Sequence, residues 1–139
     1  MWPVRVYYED TDSGGVVYYA NYLKFMERAR TEWLRALGYE QTGLVENEEL
    51  IFAVRRAELD YLRPARFDDL LQVSVRVLRC GRASIEFVQV VMPDQGEEVL
   101  CHGRIKIACL NVTTFKPRTL PSQMLNDIRQ FMHTTREQR

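Results

Sequence analysis

The sequence predicts an α+β fold in which a single antiparallel sheet wraps around one long central helix. Near the N-terminus, apolar residues recur at helical spacing, and several later segments alternate apolar with polar residues. Short turns rich in glycine, proline and aspartate separate the later segments, as in antiparallel hairpins. Because such a sheet has one apolar face, we expect the long helix to cover it.

An opening strand precedes the predicted central helix. Val4 and Val6 alternate with polar neighbours, which is typical of a half-buried strand. The helix is predicted over residues 19–37, and Gly38 suits the left-handed residue that follows many helices. Its apolar stripe consists of Tyr22, Phe25, Met26, Ala29, Trp33 and Leu37. We interpret this stripe as core.

Four strands and a short final helix are predicted after the central helix. A loop containing Gly43 leads into the predicted strands, which span residues 51–62, 71–77, 85–91 and 99–111. Turns at residues 63–69 and 93–96 separate some of them. A C-terminal helix is predicted from the spacing of Leu125, Ile128, Phe131 and Met132. Residues 133–139 are expected to form a frayed polar tail.

Composition excludes several classes of function. The 139 residues are expected to form one domain, and Lys plus Arg equals Asp plus Glu at 19 each, so no net field favours nucleic acid. Three cysteines without paired spacing predict reduced thiols and a cytoplasmic protein. The sequence predicts no membrane-spanning segment and no targeting segment. Glu27 and Arg30, at helical spacing, are interpreted as a surface or interface pair.

The segment EDTDSGGVVYYANY, residues 9–22, admits several motif interpretations. Asp10, Asp12 and Gly15 fit positions of a calcium loop, but Asn21 stands where that loop requires glutamate. The two aspartates also resemble the DxDx(T/V) motif of haloacid dehalogenase-type phosphatases, except that Gly14 occupies its last position. A phosphate loop would need a GK[ST] or three-glycine pattern, which is absent from this segment. The sequence thus disfavours all three.

A geometric interpretation of the same segment favours acyl transfer. Gly14 and Gly15 allow a sharp turn and close approach of another molecule. A helix that begins near Tyr19 is expected to leave the amides of residues 17–20 unpaired at its positive end, where they can stabilise an oxyanion. Asp12 lies a few residues upstream, where its carboxylate can attack a thioester or take a proton from water.

Three segments carry a family resemblance: VYYEDTDSGGVVYYANYLKFMERARTEWL, YLRPARFDDLL and KPRTLP. They resemble the hotdog-fold acyl-CoA thioesterases, close to the YbgC type associated with the Tol–Pal system and similar to 4-hydroxybenzoyl-CoA thioesterase. The resemblance spans nearly the whole chain. It implies a hotdog fold and hydrolysis of acyl-CoA to a free acid and CoA, with no cofactor and no metal.

The resemblance also implies roles for individual residues. The family's catalytic carboxylate falls on Asp12 and not on Asp10, and the amide that polarises the carbonyl falls on the backbone of Tyr19. YbgC-type members usually carry histidine at this position, whereas the 4-hydroxybenzoyl-CoA enzyme resembles this chain in having tyrosine. Tyr8 matches a tyrosine of the family's site, which implies a hydrogen bond to water or to the carboxylate. A strand-end aromatic packed on the sheet explains Tyr8 equally well.

Further residues are predicted to bind substrate. Gly15, Val17 and Tyr18 are expected to line the site beside the helix start. Arg82 and Ser84 match the place where the family binds its nucleotide, often across a subunit boundary, although a solvated hairpin end explains an arginine there as well.

The resemblance implies partners as well. Acyl-CoA is the expected substrate, and the family commonly forms homotetramers arranged as dimers of dimers. An alternative function is a low-turnover protein of the same fold that docks acyl carrier protein or a cell-envelope partner.

Overall fold

The computed structural model describes residues 1–137, with side chains described through His133. Its strands are β1 (Trp2–Arg5), β2 (Leu50–Tyr61), β3 (Leu70–Val73), β4 (Arg76–Cys80), β5 (Ser84–Pro93) and β6 (Cys101–Asn111). Its helices are α1 (Asn21–Ala36), α2 (Gln41–Glu48) and α3 (Ser122–Glu137), with one 3₁₀ turn at Tyr8–Asp10. None of the described helices combines the length and apolar character needed to cross a membrane.

The six strands described here form one antiparallel sheet. Its order is β1-β3-β5-β6-β2, and β4 also pairs with β5. The pairing of β2 with β6 is the longest, from Leu50 opposite Asn111 to Tyr61 opposite Cys101. Strands β1, β2 and β4 therefore each pair on one side only within the described sheet.

Helix α1 packs on the apolar face of the sheet, as the sequence predicted. Phe25 and Met26 are fully buried, and Ala29 and Trp33 are nearly so. The helix approaches β6 so closely that a Cβ atom built on Gly103 would lie 2.7 Å from Met26 Sδ. The predicted α+β class, with one sheet around one central helix, is confirmed.

Three local predictions differ from the structure. Helix α1 begins at Asn21 and not at residue 19. The segment around Gly43, predicted as a loop, is helix α2, which buries only Leu44 and therefore has no apolar stripe to reveal it. The predicted strand over residues 71–77 is divided into β3 and β4, because the Ser74 hydroxyl accepts the Val90 amide hydrogen at 2.9 Å in place of regular strand pairing.

The C-terminal helix is longer than predicted. α3 has 16 residues, and Met124 and Ile128 anchor it to the core. Residues 138 and 139, the end of the predicted frayed tail, lie outside the described residues.

Candidate active site

Asp12 begins a tight turn between the 3₁₀ turn and helix α1. The turn is closed by an antiparallel bridge between Thr11 and Val17 and by a 2.9 Å hydrogen bond from the Asp12 amide to the Val16 carbonyl. The Gly15 amide then donates to the Asp12 carbonyl at 3.1 Å. Gly15 has φ +76°, in the left-handed region that favours glycine. The predicted glycine turn is present, and it fixes the backbone of Asp12.

The Asp12 carboxylate faces solvent. One oxygen, Oδ1, accepts a hydrogen bond from the Gly14 amide at 2.9 Å. Within the part of the chain that the structure describes, Oδ2 has no hydrogen-bond partner. A Cβ atom at residue 14 would lie 3.3 Å from Oδ1, so Gly14 also leaves room for the carboxylate. This carboxylate is thus oriented by one bond and has a free oxygen that can accept a proton or attack a carbonyl.

Asp10 is in contrast a buried structural residue. It is 4% exposed, and its Oδ2 accepts the Tyr7 amide hydrogen at 2.9 Å. Its carbonyl accepts hydrogen bonds from Asn21 Nδ2 and from the Tyr18 amide, each at 2.9 Å. Asp10 therefore ties the turn to the first residue of α1, while Asp12 stays free at the surface.

The sequence predicted that the amides at the start of the helix would be unpaired, which is wrong for two of them. The Val17 amide donates to the Ala65 carbonyl at 2.8 Å, and the Tyr18 amide donates to the Asp10 carbonyl at 2.9 Å. For the Tyr19 amide, no acceptor is present among the described residues. The Ala20 amide likewise has no acceptor among the described residues, so two amides just before α1 are available to a substrate carbonyl, and the resemblance selects that of Tyr19.

Tyrosine rings surround the Tyr19 position. The Tyr19 ring lies 4.7 Å from the Tyr18 ring and 5.9 Å from the Tyr61 ring, centroid to centroid. Tyr22 extends the cluster, with its ring 5.7 Å from that of Tyr61. A hydrogen bond with Tyr19 raises the pKa of Tyr18, and burial raises the pKa of Tyr22 and of Tyr61. The hydroxyls of these three residues therefore stay protonated near neutral pH.

An open pocket of about 250 Å³ lies beside this cluster. It is lined by Val17, Tyr19, Tyr22, Tyr61, Leu62, Arg63 and Pro64. The Tyr22 hydroxyl accepts the Ala65 amide hydrogen at 3.0 Å, which joins α1 to the segment after β2. Residues 61–64 had been predicted only as strand end and turn. These residues belong to the segment YLRPARFDDLL, which carries the family resemblance. Nothing in that segment indicates that residues 61–64 line a pocket beside Tyr19.

Tyr8 stands at the surface and packs on another aromatic residue. Its side chain is 80% exposed, and its ring meets Phe67 edge-to-face at 6.1 Å. No hydrogen bond among the described residues joins its hydroxyl to Asp12. Tyr8 therefore packs on a turn residue and not on the sheet, unlike the packing interpretation, and a catalytic role for Tyr8 stays a prediction.

Arg82 and Ser84 lie at the β4–β5 hairpin, in a different part of the chain from the Asp12 turn. The Arg82 carbonyl accepts the Leu120 amide hydrogen at 2.8 Å, and the Ser84 carbonyl accepts that of Gly81 at 2.8 Å. The Arg82 side chain is exposed. No hydrogen bond or ion pair among the described residues joins either residue to Asp12, and their role in binding substrate stays a prediction.

The comparisons with known proteins decide the family. A family model described as "Thioesterase superfamily" matches residues 14–104, which begin at the Asp12 turn and include all of α1. The chain belongs to the thioesterase superfamily. This confirms the resemblance on which the sequence analysis relied.

Its relatives include proteins with thioesterase names. The chain is 45% identical over 123 residues to "Acyl-CoA thioesterase YbgC" of Haemophilus influenzae, covering 88% of this chain and 89% of that protein. It is 40% identical over 129 residues to "Acyl-CoA thioester hydrolase YbgC" of an Escherichia coli O6:H1 strain, covering 93% and 95% of the two chains.

Solved structures show the same fold. A probable thioesterase from Bartonella henselae matches with a TM-score of 0.81 and 41% identity, over 86% of this chain and 97% of that one. A DHNA-CoA thioesterase from Staphylococcus aureus matches with a TM-score of 0.90 over 99% of this chain and 93% of that one, but at 21% identity it supports the fold alone. The hotdog fold predicted from the resemblance is confirmed.

Proposed function

We propose that this protein is an acyl-CoA thioesterase whose reaction takes place between the Asp12 turn and the start of α1. The observation that carries the proposal is the exposed Asp12 carboxylate, oriented by the Gly14 amide, on a turn that leads directly to the unpaired Tyr19 amide. The names of the YbgC relatives support the reaction type.

In the proposed reaction, the Tyr19 amide donates a hydrogen bond to the thioester carbonyl and stabilises the negative charge that develops on its oxygen. Asp12 acts in one of two ways. As general base it takes a proton from water, which attacks the carbonyl; as nucleophile it attacks directly and forms a mixed anhydride that water then hydrolyses. Both routes expel the CoA thiolate and yield a free carboxylic acid.

The acyl group is proposed to enter the pocket beside Tyr19, and Gly15, Val17 and Tyr18 are proposed to line its approach. Tyr61 closes the pocket from the strand side, since its ring contacts both Tyr19 and Tyr22. Such a pocket, with aromatic walls and few polar groups, suits an apolar acyl chain.

We further propose that the working enzyme is a homo-oligomer, a dimer of dimers, in which Arg82 and Ser84 of one copy serve the Asp12 turn of another. Strand β2 supports the contact between the two copies of one dimer, because it is a 12-residue outer strand with Val54 exposed. The Arg82 guanidinium would then bind a phosphate of CoA. The free Cys80, Cys101 and Cys109 thiols suit the reducing cytoplasm, which is the proposed location.

A second candidate is a binding protein of low turnover that docks acyl carrier protein or a cell-envelope partner. The observation that favours it is Tyr19, which occupies a position that is usually histidine in the YbgC type. The Asp12 carboxylate and the unpaired amide before α1 favour the enzyme over this binding protein.

The deciding experiment measures CoA thiol release from a panel of acyl-CoAs, from acetyl to palmitoyl and benzoyl. The proposal predicts many turnovers per protein molecule on at least one acyl group. Binding of every acyl-CoA with no more than one equivalent of thiol released would refute hydrolysis and favour the binding protein.

A further inference from the structure

The first two residues of α1 each make a side-chain hydrogen bond away from the helix. Asn21 is 8% exposed, and its Nδ2 donates to the Asp10 carbonyl at 2.9 Å. Tyr22 is 3% exposed, and its hydroxyl accepts the Ala65 amide hydrogen at 3.0 Å. The first bond reaches the chain just before Asp12, and the second reaches a segment far along the chain. The start of the helix is thus joined to two other parts of the fold.

The segment reached by Tyr22 also holds the Asp12 turn. Residues 65–67, here called the brace segment, run antiparallel to residues 15–17, the returning half of that turn. One bridge and two backbone hydrogen bonds join these two stretches. The shorter hydrogen bond runs from the Val17 amide to the Ala65 carbonyl, at 2.8 Å. The brace segment therefore touches both the turn and the helix.

Ala65 joins these two contacts in a single residue. It is 0% exposed, so both its amide and its carbonyl need partners inside the protein. The carbonyl accepts the Val17 amide hydrogen, and the amide donates to the Tyr22 hydroxyl. The turn and the helix start cannot move apart without leaving one of these buried groups unpaired, which is unfavourable.

The two parts held in this way carry the two groups of the proposed reaction. Within the described chain, the Asp12 carboxylate has a single hydrogen bond, from the Gly14 amide, so its position follows the backbone of the turn. The Tyr19 amide lies two residues before Asn21. Hydrolysis needs the carboxylate and this amide in register on one thioester, and a displacement of about 1 Å can cost about 100-fold in rate.

We propose that Asn21 and Tyr22 are positioning residues of the reaction, which hold the Asp12 carboxylate and the Tyr19 amide at a fixed separation. This inference rests on the proposed function of the same site. The ring of Tyr22 lines the acyl pocket, whereas its hydroxyl acts on the turn through Ala65. Loss of either hydrogen bond should therefore lower kcat and leave acyl-CoA binding nearly unchanged.

Two variants remove these hydrogen bonds with little change in shape. Tyr22→Phe keeps the ring, and Asn21→Ala keeps a residue that favours a helix. The control is Tyr39→Phe, which also removes one tyrosine hydroxyl bond, to Asp127, beyond the C-terminal end of α1. In the thiol-release assay we expect kcat to fall at least ~10-fold in Tyr22→Phe and Asn21→Ala, with KM within about twofold of wild type. Tyr39→Phe should keep the wild-type kcat.

Amide hydrogen exchange separates a displaced turn from a general loss of stability. The Val17 amide reports on the turn, and the amides of β6 in the middle of the sheet report on the whole fold. In Tyr22→Phe we expect the exchange rate of the Val17 amide to rise at least ~10-fold more than the rates of the β6 amides. In Tyr39→Phe the Val17 amide should show no such excess.

The outcomes separate this inference from the proposed function. Wild-type kcat in both Tyr22→Phe and Asn21→Ala would overturn the inference alone, and so would equal acceleration of the Val17 and β6 amides. A wild type without turnover would overturn the proposed function first, and this inference with it. If Asn21→Ala does not fold, Tyr22→Phe decides the question by the same two measurements.

Discussion

Asp10 and Asp12 are two positions apart, yet their carboxylates have different surroundings. Asp10 is buried and accepts a backbone hydrogen bond, so its removal would disturb the start of α1. Asp12 is exposed and has one oxygen free within the described residues. An exposed carboxylate with a free oxygen can attack a substrate or take a proton from water, whereas a buried and hydrogen-bonded one cannot. This difference supports the assignment of the catalytic carboxylate to Asp12, which the resemblance implied.

The turn that holds Asp12 depends on the backbone of Gly15. A Cβ atom at this position would meet nothing within 4 Å, so only its φ of +76° opposes a side chain. We predict that Gly15→Ala lowers the free energy of unfolding by about 1 kcal/mol, and that Gly15→Asn lowers it less, because asparagine tolerates this conformation better. Urea unfolding measures both. Equal stability of wild type and Gly15→Ala would contradict the account of the turn.

The sequence predicted those features of the site that depend only on residues close to one another along the chain. The glycine turn and the start of the helix nearby follow from local chemistry, and both are present. The Tyr18 amide was predicted wrongly because the turn folds back onto the Asp10 carbonyl, and the Val17 amide because its acceptor, the Ala65 carbonyl, lies far along the chain. Arg30, interpreted from the sequence as half of a surface or interface pair, is instead buried at 8% exposed, and its partner is Gln89 on β5.

The elements differ in how strongly their sequences indicate them. α1 has a continuous apolar stripe and was predicted with its start two residues early. α2 buries one leucine and has no side-chain N-cap, so its sequence lacks the usual helix signals. The break between β3 and β4 depends on Ser74 and its bond to β5, which no local pattern reveals.

Helix α1 approaches the sheet closely at Gly103. An added Cβ atom there would lie 2.7 Å from Met26 Sδ and 2.8 Å from Met26 Cε, in a fully buried contact. We predict that Gly103→Ala destabilises the fold by about 1–3 kcal/mol through overpacking. In the double variant with Met26→Ala, the loss should be smaller than the sum of the two single losses. Additive losses in urea unfolding would contradict this contact.

Helix α3 is tied to the end of α1 by Tyr39, whose hydroxyl donates to the Asp127 carboxylate. Burial, together with this hydrogen bond, raises the pKa of Tyr39 to about 12 from 10.0. The folded state therefore holds the proton more tightly than the unfolded state. The corresponding stability is complete below pH 10 and is lost as the pH rises towards 12.

Tyr39→Phe should reduce this alkaline loss. We predict that its free energy of unfolding falls less steeply than that of wild type between pH 10 and 12. Tyr7→Phe, which removes an exposed hydroxyl, serves as the control and should follow wild type. Identical pH dependence of Tyr39→Phe and wild type would show that the Tyr39–Asp127 bond has no part in it.

For the whole molecule, the proposed oligomer depends on the free edge of β2. Its Val54 side chain is 54% exposed on a strand that pairs on one side only within the described sheet. We predict that the wild-type chain sediments as an oligomer and that Val54→Lys shifts it towards monomer, because a charge on an edge strand opposes edge pairing. Analytical ultracentrifugation at micromolar concentration measures this. A monomeric wild type would refute the proposed assembly.

The central claim is that the Asp12 carboxylate supplies the chemistry of thioester hydrolysis. Its most direct test is kcat for wild type, Asp12→Asn and Glu9→Gln on the best acyl-CoA, with unfolding measured in parallel. Glu9 is an exposed carboxylate of the preceding 3₁₀ turn and provides a matched loss of charge. The account predicts that Asp12→Asn loses at least ~100-fold in kcat at nearly unchanged stability, whereas Glu9→Gln keeps wild-type activity. Undiminished turnover in Asp12→Asn would contradict the claim.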